Sequence, residues 1–247
     1  MHISKYVKQY TVKSHEADCH GFLRVLSLLN ILQDIATENA DIIGVGLDMC
    51  RKYNLSWVGA NYLLKIDRFP HEHEKFSIAT WPAETKLCSV IRDFEVLDEN
   101  GKAIIKATSQ WVLIDIERRR PVVIKKYFTD YETINERAVT ANFMKTDNFP
   151  AAEAQYEYRV RFDDIDINKH VNNAVYALWA TESVEPAYRF EHLPQEIEIC
   201  YKKEALYGTT VVVQTQMLSD ESLHCVRNKN SDSVLALCRI KWQKISN

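Results

Sequence analysis

Tyr158-Arg-Val-Arg-Phe-Asp-Asp-Ile-Asp166 repeats, 148 residues further on, the pattern of Tyr10-Thr-Val-Lys-Ser-His-Glu-Ala-Asp18. Tyr10 matches Tyr158, Val12 matches Val160, Glu16 matches Asp164 and Asp18 matches Asp166. In both copies apolar and polar residues alternate up to an acidic turn, which is the period of a half-buried strand. An apolar stretch with helical spacing follows each. The first, from roughly Phe22 to Asn39, carries Leu23, Leu26, Leu29, Ile31, Leu32, Ile35 and Ala36, apolar over more than one face. The second, from roughly Val171 to Val184, carries Val171, Ala174, Val175, Leu178 and Trp179. Helices this apolar pack against a sheet, and Trp179 and its neighbours read first as core.

Strand patterns come next in each half. In the first they are Tyr62–Ile66, Phe76–Thr80, Val90–Val96 and Ala103–Asp115, with Asp98-Glu-Asn-Gly101 as a hairpin turn. In the second they are Ile197–Lys202, Val211–Thr215, Leu223–Arg227 and Val234–Trp242. The order in each half is strand, long apolar helix, then four antiparallel strands. That is an α+β chain in which two antiparallel sheets each wrap a long apolar helix. The expected boundaries are an N-terminal unit over residues 1–126, a polar linker over 127–154 with Pro150 near its end, and a C-terminal unit over 155–247.

Composition narrows the function. A net charge of −3 argues against a general nucleic-acid binder, which would carry a basic stripe. The N-terminus has no apolar run of a secretory signal, and no stretch approaches the roughly 18 apolar residues of a membrane span. Six scattered cysteines with no CxxC pair read as buried thiols in a reducing compartment, so the expected location is cytoplasmic, with no membrane partner.

The chemistry concentrates in Asp163-Asp-Ile-Asp166-Ile-Asn168-Lys-His170-Val-Asn-Asn173. Placed where a strand ends and a helix opens, its carboxylate, amide and imidazole can converge on one pocket. Asp166 and Asn168 are N-cap types, and N–H groups at a helix start can hold an oxyanion. Asp166 also reads as a plain N-cap, and His170 as a first-turn helix residue. A metal is disfavoured because the acidic cluster lacks the glycine and distal glutamate of an EF-hand. His71-Glu-His73 reads as a solvated turn.

Asp-x-Asn-x-His-Val-Asn-Asn-x-x-Tyr-x-x-Trp, running from Asp166 through Trp179, resembles the signature of the plant and bacterial acyl-ACP thioesterases. The resemblance extends to Glu16-x-Asp18-x-x-Gly21, to Trp111-Val-Leu-Ile-Asp115, to Arg119-Arg120 and to Tyr201-Lys-Lys-Glu204-Ala205. It implies a tandem (double) hot-dog fold and hydrolysis of fatty acyl-ACP to free fatty acid. The catalytic set it implies is Asp166, Asn168, His170 and Glu204, with no cofactor and no metal. Acyl carrier protein would be the partner, steered by Arg118, Arg119, Arg120, Lys125, Lys202 and Lys203, with the chain a monomer or homodimer.

Where the plant enzymes read Tyr-Arg-Arg-Glu-Cys, this chain has Ala205, which removes a thiol nucleophile from that position and leaves water, managed by carboxylates. Glu204 is then expected to act as the base or, alternatively, as a direct nucleophile giving an anhydride, with Asp166 orienting His170 through a hydrogen bond. In the first half His20 stands at the Asn168 position and Phe22 at the His170 position, so that half is expected to shape the acyl-chain pocket. The alternatives are an acyl-CoA thioesterase, a hot-dog hydratase, or a non-catalytic acyl-binding module.

Overall fold

Strand β1 (Tyr6–Thr11) and strand β7 (Ala154–Arg159) carry the same alternation of half-buried and exposed residues, and each lies at the end of its strand series. They belong to two compact units of a computed structural model that describes residues 4–140, 142–144, 149 and 154–245. Unit 1 comprises Met1–Ala60 and Ile66–Ala141; unit 2 comprises Asn61–Lys65 and Asn142–Asn247. The division falls inside the expected linker, whose Pro150 lies outside the described residues.

In unit 1 the strands are β1, β2 (Leu55–Ile66), β3 (Lys75–Thr85), β4 (Ser89–Leu97), β5 (Ala103–Asp115) and the short β6 (Arg120–Pro121). They run in the order β1-β3-β4-β5-β2, with β6 also on β5. The β4–β5 hairpin forms as read. Asp98 Oδ1 accepts from the N–H groups of Asn100 and Lys102, and Gly101 supplies the φ of +77°. Helix α1 (Val25–Ile42) packs on β3 and is followed by α2 (Leu47–Lys52).

Unit 2 has β8 (His192–Tyr201), β9 (Thr210–Leu218), β10 (Glu221–Asn228) and β11 (Val234–Lys244) in the order β8-β11-β10-β9-β7, while Asn61–Lys65 pairs with β8. Helix α3 (Asn173–Glu182) lies against β9, β10 and β11, and α4 (Pro186–Glu191) leads into β8.

The helices differ from expectation. Helix α1 buries a single stripe, Leu28, Leu29, Leu32, Ile35, Ala36 and Asn39, rather than several faces. Helix α3 is the shorter at ten residues, yet seven of them are buried, so it is the one enclosed nearly all round. The helices start three and two residues later than their apolar spacing suggests, at Val25 and Asn173. Most strands run longer than expected, β2 by seven residues at its start, and bulges accommodate prolines in two places: Pro82 lies at a register shift in β3, and Pro194 in β8 faces the shift in β11. Among the cysteines, Cys50, Cys200, Cys225 and Cys238 are buried thiols, but Cys19 is exposed and Cys88 half-buried.

The interior of unit 2 holds one fully satisfied polar cluster. His224, completely buried on β10, meets Ser183 and Thr215 at Nδ1 (3.1 and 3.0 Å) and Ser222 at Nε2 (2.7 Å), and Trp242 Nε1 donates to Ser222. Burial pushes the His224 pKa down to about 3. An exposed histidine in the unfolded chain binds its proton near pH 6.5. Between those values the unfolded state binds the proton and the folded state does not, so stability falls as pH falls. From pH 7 to pH 5 this group alone should remove about 2 kcal/mol, and His224→Gln should flatten that part of the slope. Urea denaturation of both proteins at the two pH values measures it; identical slopes would show that His224 titrates normally.

Candidate active site

The backbone around Asp18 and that around Asp166 are the same loop built twice. Asp166 Oδ1 accepts from the N–H groups of Asn168 (2.8 Å) and His170 (3.4 Å); Asp18 Oδ1 accepts from His20 and Phe22 (both 2.9 Å). The Asp166 N–H donates to the His170 carbonyl and that of Asp18 to the Phe22 carbonyl, each at 2.8 Å. Upstream, Asp164 accepts from the Arg161 N–H as Glu16 does from Lys13. The turn requires left-handed backbone at one position, supplied by Gly21 (φ +81°) in unit 1 and by Lys169 (φ +66°) in unit 2. A side chain at Gly21 would also collide with the His71 ring, 2.5 Å from the place of its Cβ.

This geometry moves the motif off the helix. Its carboxylate is consumed by its own loop, which is why the chain does not turn helical until Asn172, the actual N-cap, accepts from the Ala174 N–H (2.9 Å). Asp166 and His170 are therefore loop residues. The hydrogen bond expected from Asp166 to the His170 ring goes instead to the His170 backbone. Asn168 is exposed and its Nδ2 also donates to Asp166 (3.3 Å). The neighbouring Asp164 is buried and held by Arg161 at 2.7 Å.

Glu204 arrives from the far side. The Val171 N–H donates to the Ala205 carbonyl (3.0 Å), lacing the loop after β8 to the motif loop, and this sets Glu204 Oε2 3.4 Å from His170 Nε2. Both side chains are about a third exposed, 32% and 34%, so the pair is reachable from solvent. Tyr176, read only as part of the motif, holds the backbone on both sides of Glu204: its hydroxyl accepts from the Ala205 N–H (3.0 Å) and donates toward the Lys203 carbonyl (3.5 Å). Burial pushes its pKa up to about 12, so it keeps its proton. Tyr201 ties the helix start in the same way, donating to the Asn173 carbonyl (3.0 Å). Cys200 packs with Cys225 and Leu237 in an apolar cluster, and Ala205 is buried.

Unit 1 repeats the lacing with other side chains. The Leu23 N–H donates to the Pro70 carbonyl (2.9 Å), so Phe69 holds the place of Glu204 and Phe22 that of His170. Constant spacing could not have found this pair, because Pro70 lies 47 residues beyond Leu23 whereas Ala205 lies 34 beyond Val171. Chemically, unit 2 offers a carboxylate and an imidazole in contact at the surface, able to take a proton from water and pass it on. Unit 1 offers two phenyl rings. Among the described residues no group of three or more His, Cys, Asp or Glu is placed to hold a metal ion.

Comparison with known proteins places the chain in company. The model of the acyl-ACP thioesterase N-terminal domain matches residues 4–131, and that of the C-terminal domain matches residues 148–244. The chloroplastic oleoyl-acyl carrier protein thioesterase of Coriandrum sativum is 25% identical over 234 residues, covering 87% of this chain and 63% of the relative. The chain thus spans under two thirds of that relative's length. An acyl-ACP thioesterase from Bacteroides thetaiotaomicron superposes with a TM-score of 0.82 at 24% identity, over 97% of this chain and 98% of the other. A 12:0-ACP thioesterase from Umbellularia californica does so at 0.87 and 21%, over 99% of each. These likenesses show a shared, hot-dog-type fold.

Because Asp18 and Asp166 make the same backbone bonds, removing either should cost alike. Asp18→Ala and Asp166→Ala should each lose about 1 kcal/mol of folding stability in chemical denaturation. A loss confined to one of them would contradict the shared role.

Proposed function

Since the chain belongs to the acyl-ACP thioesterase family, we propose that it hydrolyses the thioester of a fatty acyl group on acyl carrier protein, releasing free fatty acid and the carrier thiol. The observation that carries the reading is the 3.4 Å contact of His170 with Glu204, made by two segments over thirty residues apart. Its absence from the unit 1 loop with the same backbone bonds, where Phe22 and Phe69 stand, marks it as an addition to the fold rather than a requirement of it.

In the proposed reaction Glu204 takes a proton from water as the water oxygen attacks the thioester carbonyl carbon. The tetrahedral intermediate collapses, the C–S bond breaks, and the proton passes through His170 to the departing sulfur. Asn168 steadies the incoming water or the carbonyl oxygen: its amide nitrogen carries two N–H groups and Asp166 engages it at 3.3 Å. Asp166 acts as a positioning residue, its carboxylate shaping the loop that presents His170. With Ala205 at the plant cysteine position and Cys200 packed in the core, no cysteine thiol serves as the nucleophile in this reading. No cofactor or metal enters it.

Unit 1, in this reading, wraps its sheet around α1 to shape the acyl-chain pocket, and unit 2 wraps its sheet around α3 to carry the chemistry. The free thiols fit a reducing compartment, the cytoplasm.

Glu204→Gln keeps the shape of the base without its proton affinity and should lower kcat on acyl-ACP by about 10²–10⁴-fold; His170→Ala should fall in the same range. Cys200→Ser and Glu16→Gln should keep near-wild-type turnover. A folded Glu204→Gln enzyme with full activity, or a dead Cys200→Ser enzyme that still folds, would overturn the mechanism. Steady-state hydrolysis of acyl-ACP, with circular dichroism as the folding check, measures all four.

A further inference from the structure

The two most exposed of the large apolar residues described, Ile167 (79%) and Phe162 (78%), lie on the loop that carries His170. Leu206 (54%) and Tyr207 (63%) lie on the adjoining loop, directly after Glu204 and Ala205. The two loops are laced together. Besides the Val171–Ala205 bond, Val160 N–H donates to the Thr209 carbonyl (2.8 Å), Gly208 N–H donates to the Val160 carbonyl (3.2 Å), and the Phe162 and Tyr207 rings meet edge to face at 6.2 Å. Exposed cations sit on the same loops: Lys169, Lys202, Lys203 and Arg161, the last paired with Asp164, against exposed Asp163 and the partly exposed Glu204.

Unit 1 provides an internal control. Its loops have the same backbone bonds, so each position can be matched. Phe162 corresponds to Ser14, Ile167 to Cys19, Leu206 to His71 and Tyr207 to Glu72. By the same matching Lys169 corresponds to Gly21 and Lys202 to Asp67, while Lys203 corresponds to Arg68, a cation in both copies. The copy without the His170–Glu204 pair is polar and less basic; the copy with it is apolar and ringed by lysines. Four exposed apolar side chains have no folding reason to be there, since the same loop folds in unit 1 without them.

We propose that Phe162, Ile167, Leu206 and Tyr207, with Lys169, Lys202 and Lys203, form the surface on which the acyl carrier protein docks while its arm presents the thioester to His170 and Glu204. The occupant is a small acidic domain bearing an apolar spot beside the attachment point of its arm. Position argues for it, because a thioester tethered to a protein can reach a surface pair only if that protein's body rests on the rim around the pair. Charge argues for it too: the lysines would steer an acidic partner and the apolar residues would hold it. A carrier that is only a nucleotide-linked thiol has no protein surface to meet this rim.

The inference rests on the thioesterase reading, and its test separates the two. The same acyl group is offered on acyl carrier protein and on pantetheine, to the wild type and to Phe162→Glu and Leu206→Glu. The two substitutions fall on exposed side chains outside the reacting set, and unchanged hydrolysis of the pantetheine thioester verifies that the site is intact. The expected result is a loss of at least about tenfold in kcat/KM for acyl-ACP, carried by KM, with the pantetheine thioester unchanged within about twofold. Binding of holo-acyl carrier protein, followed by fluorescence, should weaken in parallel, and binding to the wild type should itself weaken as salt is added. Equal kcat/KM on acyl-ACP for wild type and both variants overturns the surface, as do equal losses on both substrates. So does a patch whose substitution abolishes self-association, or binding to anionic lipid vesicles, while sparing carrier binding. A wild type that binds the carrier through Phe162 yet hydrolyses neither thioester refutes the proposed reaction and leaves the surface standing.

Discussion

A single carboxylate oxygen accepting two backbone N–H groups, at Asp18 and again at Asp166, determines where each unit's loop ends and its helix begins. Those N–H groups would otherwise belong to a first helical turn. By taking them, the aspartate keeps the segment open for the following four residues and fixes the direction in which they face. The left-handed residue that completes the turn is glycine in unit 1, which meets the conformation at no steric cost, and lysine in unit 2, which does not. Unit 2 therefore holds strained backbone beside His170, and the aspartate and the cross-loop bonds keep it there.

The His170–Glu204 pair is built on that frame by a second, non-local constraint. Val171 and Ala205 join through one backbone hydrogen bond, and Tyr176 grips the chain on both sides of Glu204 from within α3. The frame exists in both units, whereas the His–Glu pair exists in one. Phe22 and Phe69 stand at the matching positions of unit 1, so the same loop folds without a histidine–glutamate pair. Both side chains are held a third exposed at 3.4 Å, which is the arrangement the proposed reaction needs.

Much of this was legible from residues alone. Alternation in Tyr10–Asp18 and Tyr158–Asp166 marks the duplicated strands, and Asn-Gly at residues 100 and 101 marks the hairpin. The starts of the helices were not legible, since apolar spacing runs back through Leu23 and Val171, which belong instead to small bridges closing the loops. Strand lengths were misjudged at Pro82 and Pro194, where bulges let the pairing continue. Asp166 could be found from its motif but its partner could not: a residue type carries no information on whether it bonds a ring or a backbone amide. Phe69 was hidden for a different reason. The chain between the two laced loops is longer in unit 1, where α1 is 18 residues against ten for α3, so a fixed offset passes Phe69 by.

The central claim is that His170 and Glu204 work as one unit, and the coupling between them is directly measurable. In a double-mutant cycle on kcat, Glu204→Gln, His170→Ala and the double variant would be assayed on one acyl-ACP substrate. If the pair relays a single proton, the double variant falls about as far as the worse single variant and no further, since either loss already breaks the relay. Losses that multiply, with the double variant falling by the product of the two single factors, would mean that the residues act independently and that their 3.4 Å contact is incidental.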